Sequence, residues 1–493
     1  MGTRVELRST PGDERGWHLA LARRLSETGA EVRIRSTGEA PHPVRGGRDD
    51  LGALLRTERL LHRVRPIYAE RCSPASLASW RYDAQETAVD VVIDVEGTLD
   101  APGAWRVTFD GRPGTAAALA VLAAGRFPLV RVVAEGRTLA TGRPGSDTPR
   151  PLTRALEDVL AGTVLVVAQA LLGHPPTADP AAEIDPAAAR SVAPAGALRT
   201  VVAAGVHGAY RAAYRAPHWR VGWRLLDDGA PDVLDLGDHP MSGWSRLPDD
   251  GYHFYADPFP VSVGTDHLLF VEDFDHRRGR GVISVVEVDE DGPVGTPRPV
   301  LEHEVHLSYP YVVEDDGEWW MIPETSAAGT VELYRAVGFP GRWRREVVLL
   351  RGVAASDVSV VRHGDRWWMF GTVRHGGSWS DALHLWWADR LTGPWHSHPR
   401  NPVLVDIASA RPAGRPVHRD GRLLRPVQDG RAGYGSALAV AEVVHLDEDT
   451  YDQRLVAHLL PGPRWPGTRL HTLNRAGRLE TIDGSARSPR LRR

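Results

Sequence analysis

Between residues 257 and 484 one plan is written five times, and a repeat of this kind restricts the fold more than any other feature of the chain. The segments are DPFPVSVGTDHLLFVED from Asp257, YPYVVEDDGEWWMIPET from Tyr309, DVSVVRHGDRWWMFGTV from Asp357, AGRPVHRDGRLLRPVQD from Ala413 and a shorter HTLNRAGRLETIDG from His471. Each reads as a strand, a turn with Gly or Asp, and a returning strand. Their starts lie 52, 48, 56 and 58 residues apart. Two further strand-like runs follow each of the first four, which gives four strands per unit of ~50 residues, the arithmetic of a β-propeller blade. The fifth unit lacks outer strands after TIDG. WRVGWRLLDDG and SGWSRLPDD, just before the first unit, would supply them and close the ring. The expected C-terminal fold is an all-β five-bladed β-propeller over residues 215–485.

The other half is built differently. Three of the 16 tryptophans (Trp17, Trp80 and Trp105) precede residue 216, and the rest follow it. Strand patterns in VELR, EVRIR, VDVVIDVEG and AWRVTFDG alternate with helical patterns in GWHLALARRLSETG, DLGALLRTERLLHRV and TAAALAVLAAG. A hairpin (LVRVVAEG, RTLATG) and a long helix from PLTRALEDVL close the region. This predicts an α/β domain over residues 1–172. The stretch GHPPTADPAAEIDPAAARSVAPAGAL has no aromatic residue and no sustained period, so 173–214 reads as a Pro/Ala-rich linker. Residues 486–493 read as a basic tail.

Composition removes several functions. A net charge of −4 gives no global basic field, so nucleic acid is not an expected partner. The chain has no lysine, which excludes a P-loop lysine and a Schiff base. Its single cysteine, Cys72, allows neither an internal disulfide nor a thiolate cluster, and reads as an inert buried residue. No apolar run reaches the ~18–20 residues of a membrane span, and the first residues lack the apolar core of a signal peptide. The expected location is cytoplasmic. STPGDERG after the first strand is not a GxGxxG turn, so no dinucleotide cofactor is expected.

The repeat also places a candidate site. A strand that leaves one rim and returns through a hairpin brings both its ends to that rim. Asp257 with Glu272, Tyr309 with Glu324, Asp357 with Thr372, and Arg411 with Gln428 are therefore expected at one mouth of the central channel. His306, Arg425, Asp429 and His471 are expected nearby. Paired carboxylates can perform acid–base chemistry, and aromatic faces can stack on sugar rings, which makes this a candidate polyol site. Asp257, Glu324 and Asp357 are the candidate catalytic groups; Glu272, His306, Tyr309, Arg411, Arg425, Gln428, Asp429 and His471 are the candidate substrate-binding groups. No metal site is expected, because His306 and His471 are isolated in sequence.

These residues carry a resemblance. From FYADPF through HLSYP, MIPET, VELYRAVGFPGRW, SARPAGRPV, RPVQD and YGSAL to HTLNRAG, the chain resembles the propeller at the N-terminus of plant glucosamine inositolphosphorylceramide transferases and its stand-alone bacterial relatives. In the plant enzymes a separate C-terminal domain is assigned the transfer, so the transferase activity is not implied here. More distantly, the fold is similar to arabinanase-, invertase- and levansucrase-type five-bladed glycosidases. That likeness implies a base or nucleophile at Asp257 and a second Asp at Asp357. It leaves the acid position without a Glu in the fourth blade, where Gln428 and Asp429 stand, so Glu324 or Glu272 would have to act. AWRVTFDGRPG with LVRVVAEGRTLATG resembles a formyltransferase-like domain, expected to be degenerate because formyl transfer needs an Asn and this half has none. No folate or nucleotide cofactor is expected. Two functions follow: a carbohydrate-active enzyme acting at the mouth, or a silent module that presents a glycan to a partner glycosyltransferase.

Overall fold

The computed structural model describes residues 2–9, 14–36, 50–80, 88–97, 103–174 and 197–490. Residues 10–13, within the STPGDERG segment, and residues 175–196 of the Pro/Ala-rich stretch lie outside them.

The N-terminal half is a mixed sheet with helices. Strands Glu31–Ser36, Arg4–Ser9, Val91–Asp94 and Trp105–Phe109 run parallel in that order, and Val130–Ala134 and Arg137–Gly142 continue the sheet antiparallel. The helix Gly16–Glu27 crosses between the first two strands and buries Trp17, Leu21, Ala22 and Leu25. The helix Leu152–Leu171 is apolar on nearly all sides, and burial follows from that, since such a helix has no solvent face. It packs against the sheet on one side. On another it meets the propeller, so Val164, Val166 and Val167 share one core with Ala382, Val405 and Ile407. Gln169 Nε2 donates to the Pro402 carbonyl at 2.6 Å across the same seam. Cys72 is half-buried rather than buried, and burial raises its thiol above the ordinary range, with Glu14 adding to the shift.

The C-terminal half is a ring of five antiparallel sheets, four-stranded in blades 2, 4 and 5 and five-stranded in blades 1 and 3. The inner strands are His253–Val263, Ser308–Asp315, Ala355–His363, Val417–Arg419 and Leu470–Ala476. In the fifth blade Leu479–Ser485 pairs with Trp219–Leu225, which pairs with Ser245–Arg246, so the segment before the first repeat closes the ring. Two boundaries differ from the expectation. Residues Ala197–Ala213 form a helix, because ALRTVVAAGVHGAYRAA keeps a helical period that the preceding Pro-rich stretch lacks. The tail is not free, since Ser488–Pro489 pairs with Tyr214–Arg215.

One local device recurs at the same end of the ring. The inner strands of blades 1, 2, 3 and 5 break register over two residues, between Ala256 and Phe259, Ser308 and Tyr311, Ser356 and Ser359, and Leu470 and Leu473. The first bulged residues are Asp257, Tyr309, Asp357 and His471. Three of them hold φ of +46°, +44° and +52°, a conformation non-glycine residues adopt only when the surroundings hold them there. The bulge turns the N–H of these residues away from the ladder, so an acceptor outside it must satisfy each one.

Candidate functional site

Carboxylates from successive blades supply those acceptors. Asp483 Oδ2 of blade 5 accepts the Asp257 N–H at 2.9 Å. Asp257 Oδ2 of blade 1 accepts the Tyr309 N–H at 3.1 Å. Glu324 Oε2 of blade 2 accepts the Asp357 N–H at 3.1 Å. The relay ends on a cation. Arg411 Nε donates to Asp357 Oδ2 at 2.6 Å, and Gln428 Nε2 donates to the same oxygen at 2.8 Å.

A second line of contacts runs through blade 5. His471 Nδ1 lies 2.6 Å from Asp483 Oδ1, its Nε2 lies 3.7 Å from Asp257 Oδ1, and Thr472 Oγ1 donates to that Asp257 oxygen at 2.9 Å. Burial alone would lower the imidazole, but Asp483 and Asp257 outweigh it and hold His471 above its ordinary value. The ring stacks on Trp219 at 4.0 Å with 5° between planes, and Tyr434 closes edge-on against both. Arg411 lies 5.0 Å over the Tyr434 ring.

Burial raises three of the carboxyls here. Asp257 is pushed up to about 6 by desolvation against the pull of His471, and Asp357 to about 6 by desolvation against that of Arg411. Glu272 is held well above the carboxylate range by burial, with Asp257 and Asp483 adding to it. His306 faces Glu272 at 3.4 Å. Its Nδ1 accepts the Gly281 N–H at 2.8 Å, which leaves Nε2 as the atom that donates toward Glu272 in the neutral ring. Glu324 and His306 are half-exposed, whereas Asp257, Asp357 and Arg411 are buried.

The structure thus brings Asp257, Glu272, Glu324, Asp357, Arg411, Gln428, His306 and His471 to one end of the ring. Three further candidates do not join them as side chains. Tyr309 turns inward, its hydroxyl 2.8 Å from Ser359 Oγ and accepting the Gly414 N–H at 2.7 Å, and only its backbone meets Asp257. Arg425 is 1% exposed and is spent inside blade 4 on Gln453 Oε1 (2.5 Å), Tyr451 and the carbonyls of Ser409 and Ala410. Asp429 binds Arg431 at 2.7 Å and His458 at 2.6 Å, and these hydrogen bonds outweigh burial and hold it down at about 2. Alternation along Arg422–Asp429 explains the last case, since neighbours Gln428 and Asp429 must face opposite sides.

Asp483, Trp219, Tyr434 and Ser380 belong to the site but are absent from the expected set. So does Asp147 of the N-terminal half. Its Oδ1 accepts from Ser380 Oγ at 2.5 Å and Ser378 Oγ at 3.1 Å, its Oδ2 accepts the Trp379 N–H at 2.9 Å, and its carbonyl accepts the Tyr434 N–H at 3.0 Å. Ser380 Oγ in turn accepts from Arg411 NH1 at 3.2 Å. A chain of contacts therefore runs from the N-terminal half through Ser380 and Arg411 to Asp357. Asp147→Ala is expected to cost about 1–2 kcal/mol in a urea titration and to loosen the 378–380 loop. An unchanged midpoint would show that the loop holds itself.

Among the described residues, Asp257, His471 and Asp483 form one group whose ligand atoms lie within 4.8 Å of one another, as a metal site would need. Asp483 Oδ1 is already engaged there by His471 Nδ1 and by the Thr472 N–H. His471 Nδ1 is hydrogen-bonded to Asp483 in this group, while its Nε2 stands 3.7 Å from Asp257 Oδ1.

The raised Asp257 has a pH signature. Its folded value of about 6 lies above its ordinary 3.8, so the folded state holds the proton more tightly. That contribution is lost as pH rises from about 4 through about 6. Relative to Asp257→Asn, wild type should lose on the order of 2 kcal/mol between about pH 4 and about pH 7. Denaturation of the pair at both pH values checks it; a constant difference would place Asp257 in a solvated setting.

The fold and the geometry together define a two-part molecule in which a five-bladed propeller carries a carboxylate–arginine mouth. The family model for the N-terminal part of glucosamine inositolphosphorylceramide transferase 1 matches residues 246–481. Glucosamine inositolphosphorylceramide transferase 1 of Arabidopsis thaliana is 32% identical over 237 residues, which is 46% of this chain and 30% of that protein. The Oryza sativa subsp. japonica protein of the same name is 32% identical over 222 residues, 44% of this chain and 30% of its own length. The chain thus spans less than a third of these plant relatives. Among solved structures, it is similar to a β-xylosidase (TM-score 0.35, 12% identity, 43% of this chain and 77% of that one). A family 117 glycoside hydrolase from Zobellia galactanivorans compares at TM-score 0.35, 13% identity, 54% of this chain and 90% of that one. The matched segment lies outside residues 1–172, so the likeness of that half to a formyltransferase is without support from these relatives.

Proposed function

We propose that the propeller mouth binds a sugar or glycoconjugate and does not hydrolyse it. The engagement of the three candidate catalytic carboxylates supports this reading. Asp257 accepts from Thr472 and Tyr309, Asp357 from Arg411 and Gln428, and Glu324 from Ser326 and Asp357. A carboxylate spent on bridging blades is poorly placed to attack or to take a proton. The half-exposed Glu324 and His306 edge would meet sugar hydroxyls, with buried Glu272 behind it. The relatives' name supports the carbohydrate class, and the family model covers their N-terminal part, which fits a module that presents a glycan to a glycosyltransferase.

Glu272 favours a second reading. Burial pushes its carboxyl well above the ordinary range, the direction that suits a general acid for a glycosidic bond. A glycan array together with a panel of activated aryl glycosides separates the two. Binding without turnover is expected. Turnover abolished by Glu272→Gln would replace the binding reading with the acid–base one.

A further inference from the structure

A groove of about 900 Å³ opens between the helix Ala197–Ala213 and the edge of blade 5. Arg211, Arg220, Arg246, Arg469 and Arg487 line it, with two histidines and no carboxylate. Among the described residues only Arg246 has an acidic partner, Asp249 at 2.5 Å. Four arginines therefore line one groove without a carboxylate partner among the described residues. Positive charge gathered in one groove without a carboxylate favours an anion there.

Arg220 sharpens the point. Its guanidinium lies 4.1 Å over the Trp465 ring, and its Nε and NH2 are shielded from water with no acceptor among the described residues. Desolvation, with Arg246 adding to it, lowers this guanidinium to about 10. A shielded donor with no partner is unfavourable, and an anionic oxygen would relieve it. The groove also adjoins the mouth. Trp219 lines the groove and stacks on His471, while Arg469 NH1 donates to the Tyr434 carbonyl at 2.8 Å.

We propose that this groove is a second binding site, which takes the phosphoryl group of a phosphorylated sugar or polyol. Several arginine forks suit the tetrahedral, multiply charged oxygens of a phosphoryl group better than a single carboxylate. The groove's size suits a small ester, and the apolar lining that Tyr210 and Trp219 contribute suits the polyol it carries. The site stands whether or not the mouth binds a neutral glycan.

Calorimetry on the full chain tests it with inorganic phosphate, a hexose 1-phosphate and the free hexose as probes. Cosedimentation with phosphatidylinositol vesicles, against phosphatidylcholine vesicles, forms a second arm. Binding of the hexose phosphate is expected, weakened roughly tenfold by Arg220→Gln and again by the exposed Arg487→Gln, with neither change reducing neutral-glycan binding. Binding confined to the phosphatidylinositol vesicles and lost in the same variants would support the site and assign its phosphoryl group to a lipid headgroup. No binding in either arm, or binding that both variants keep, would overturn the proposal. Arg487→Gln guards the test, because an exposed side chain at that position leaves the fold intact.

Discussion

Arg411→Ala should destabilise the propeller by about 3–5 kcal/mol, read as a lower urea midpoint. Arg411 is 7% exposed, and among the described residues its Nε–H is the one charged donor hydrogen-bonded to the buried Asp357. Asp357 already lies near Glu324, which bonds its backbone N–H, and desolvation already raises its carboxyl. Without the guanidinium, Gln428 alone would face a buried carboxylate. Removing one member of a buried pair is worse than removing both, because the survivor keeps its desolvation cost. Arg411→Ala with Asp357→Asn should therefore recover part of the loss. A single variant that loses less than about 1 kcal/mol would mean that the pair is solvated like a surface bridge.

Glu157→Ala should cost about 2–4 kcal/mol and speed amide exchange at residues 67–69. The Glu157 carboxylate, on the long buried helix, accepts three successive N–H groups, those of Ile67 (2.6 Å), Tyr68 (2.7 Å) and Ala69 (2.8 Å). Three donors aimed at one anion form a nest, and the deletion leaves all of them without an acceptor. Glu157→Gln keeps one oxygen and should cost less. Unchanged exchange at 67–69 would show that water replaces the carboxylate.

The repeat made the ring legible, since each hairpin spells out two strands and its spacing counts the blades. Equal offsets also located Glu272, Glu324 and Thr372, which pair with Ala256, Ser308 and Ser356 in the three longer hairpins. The same offset fails in blade 5. Its hairpin is two residues shorter, so Leu470 pairs with Gly484 and the useful carboxylate is Asp483. Offsets fix a residue's height around the axis but not its face, which is why Arg425 and Asp429 fell on the wrong side of their strand. Trp219 and Asp147 reach the mouth through ring closure and domain docking, contacts between distant segments that no local pattern carries.

Titration of an array-selected neutral glycan into wild type, Glu324→Gln and His306→Ala decides whether the mouth takes a sugar. Both side chains are half-exposed, so the melting temperature should stay within a few degrees. The expected result is saturable binding to wild type, weakened roughly tenfold or more in each variant. Equal affinity in all three proteins, or no glycan bound by wild type, would contradict it.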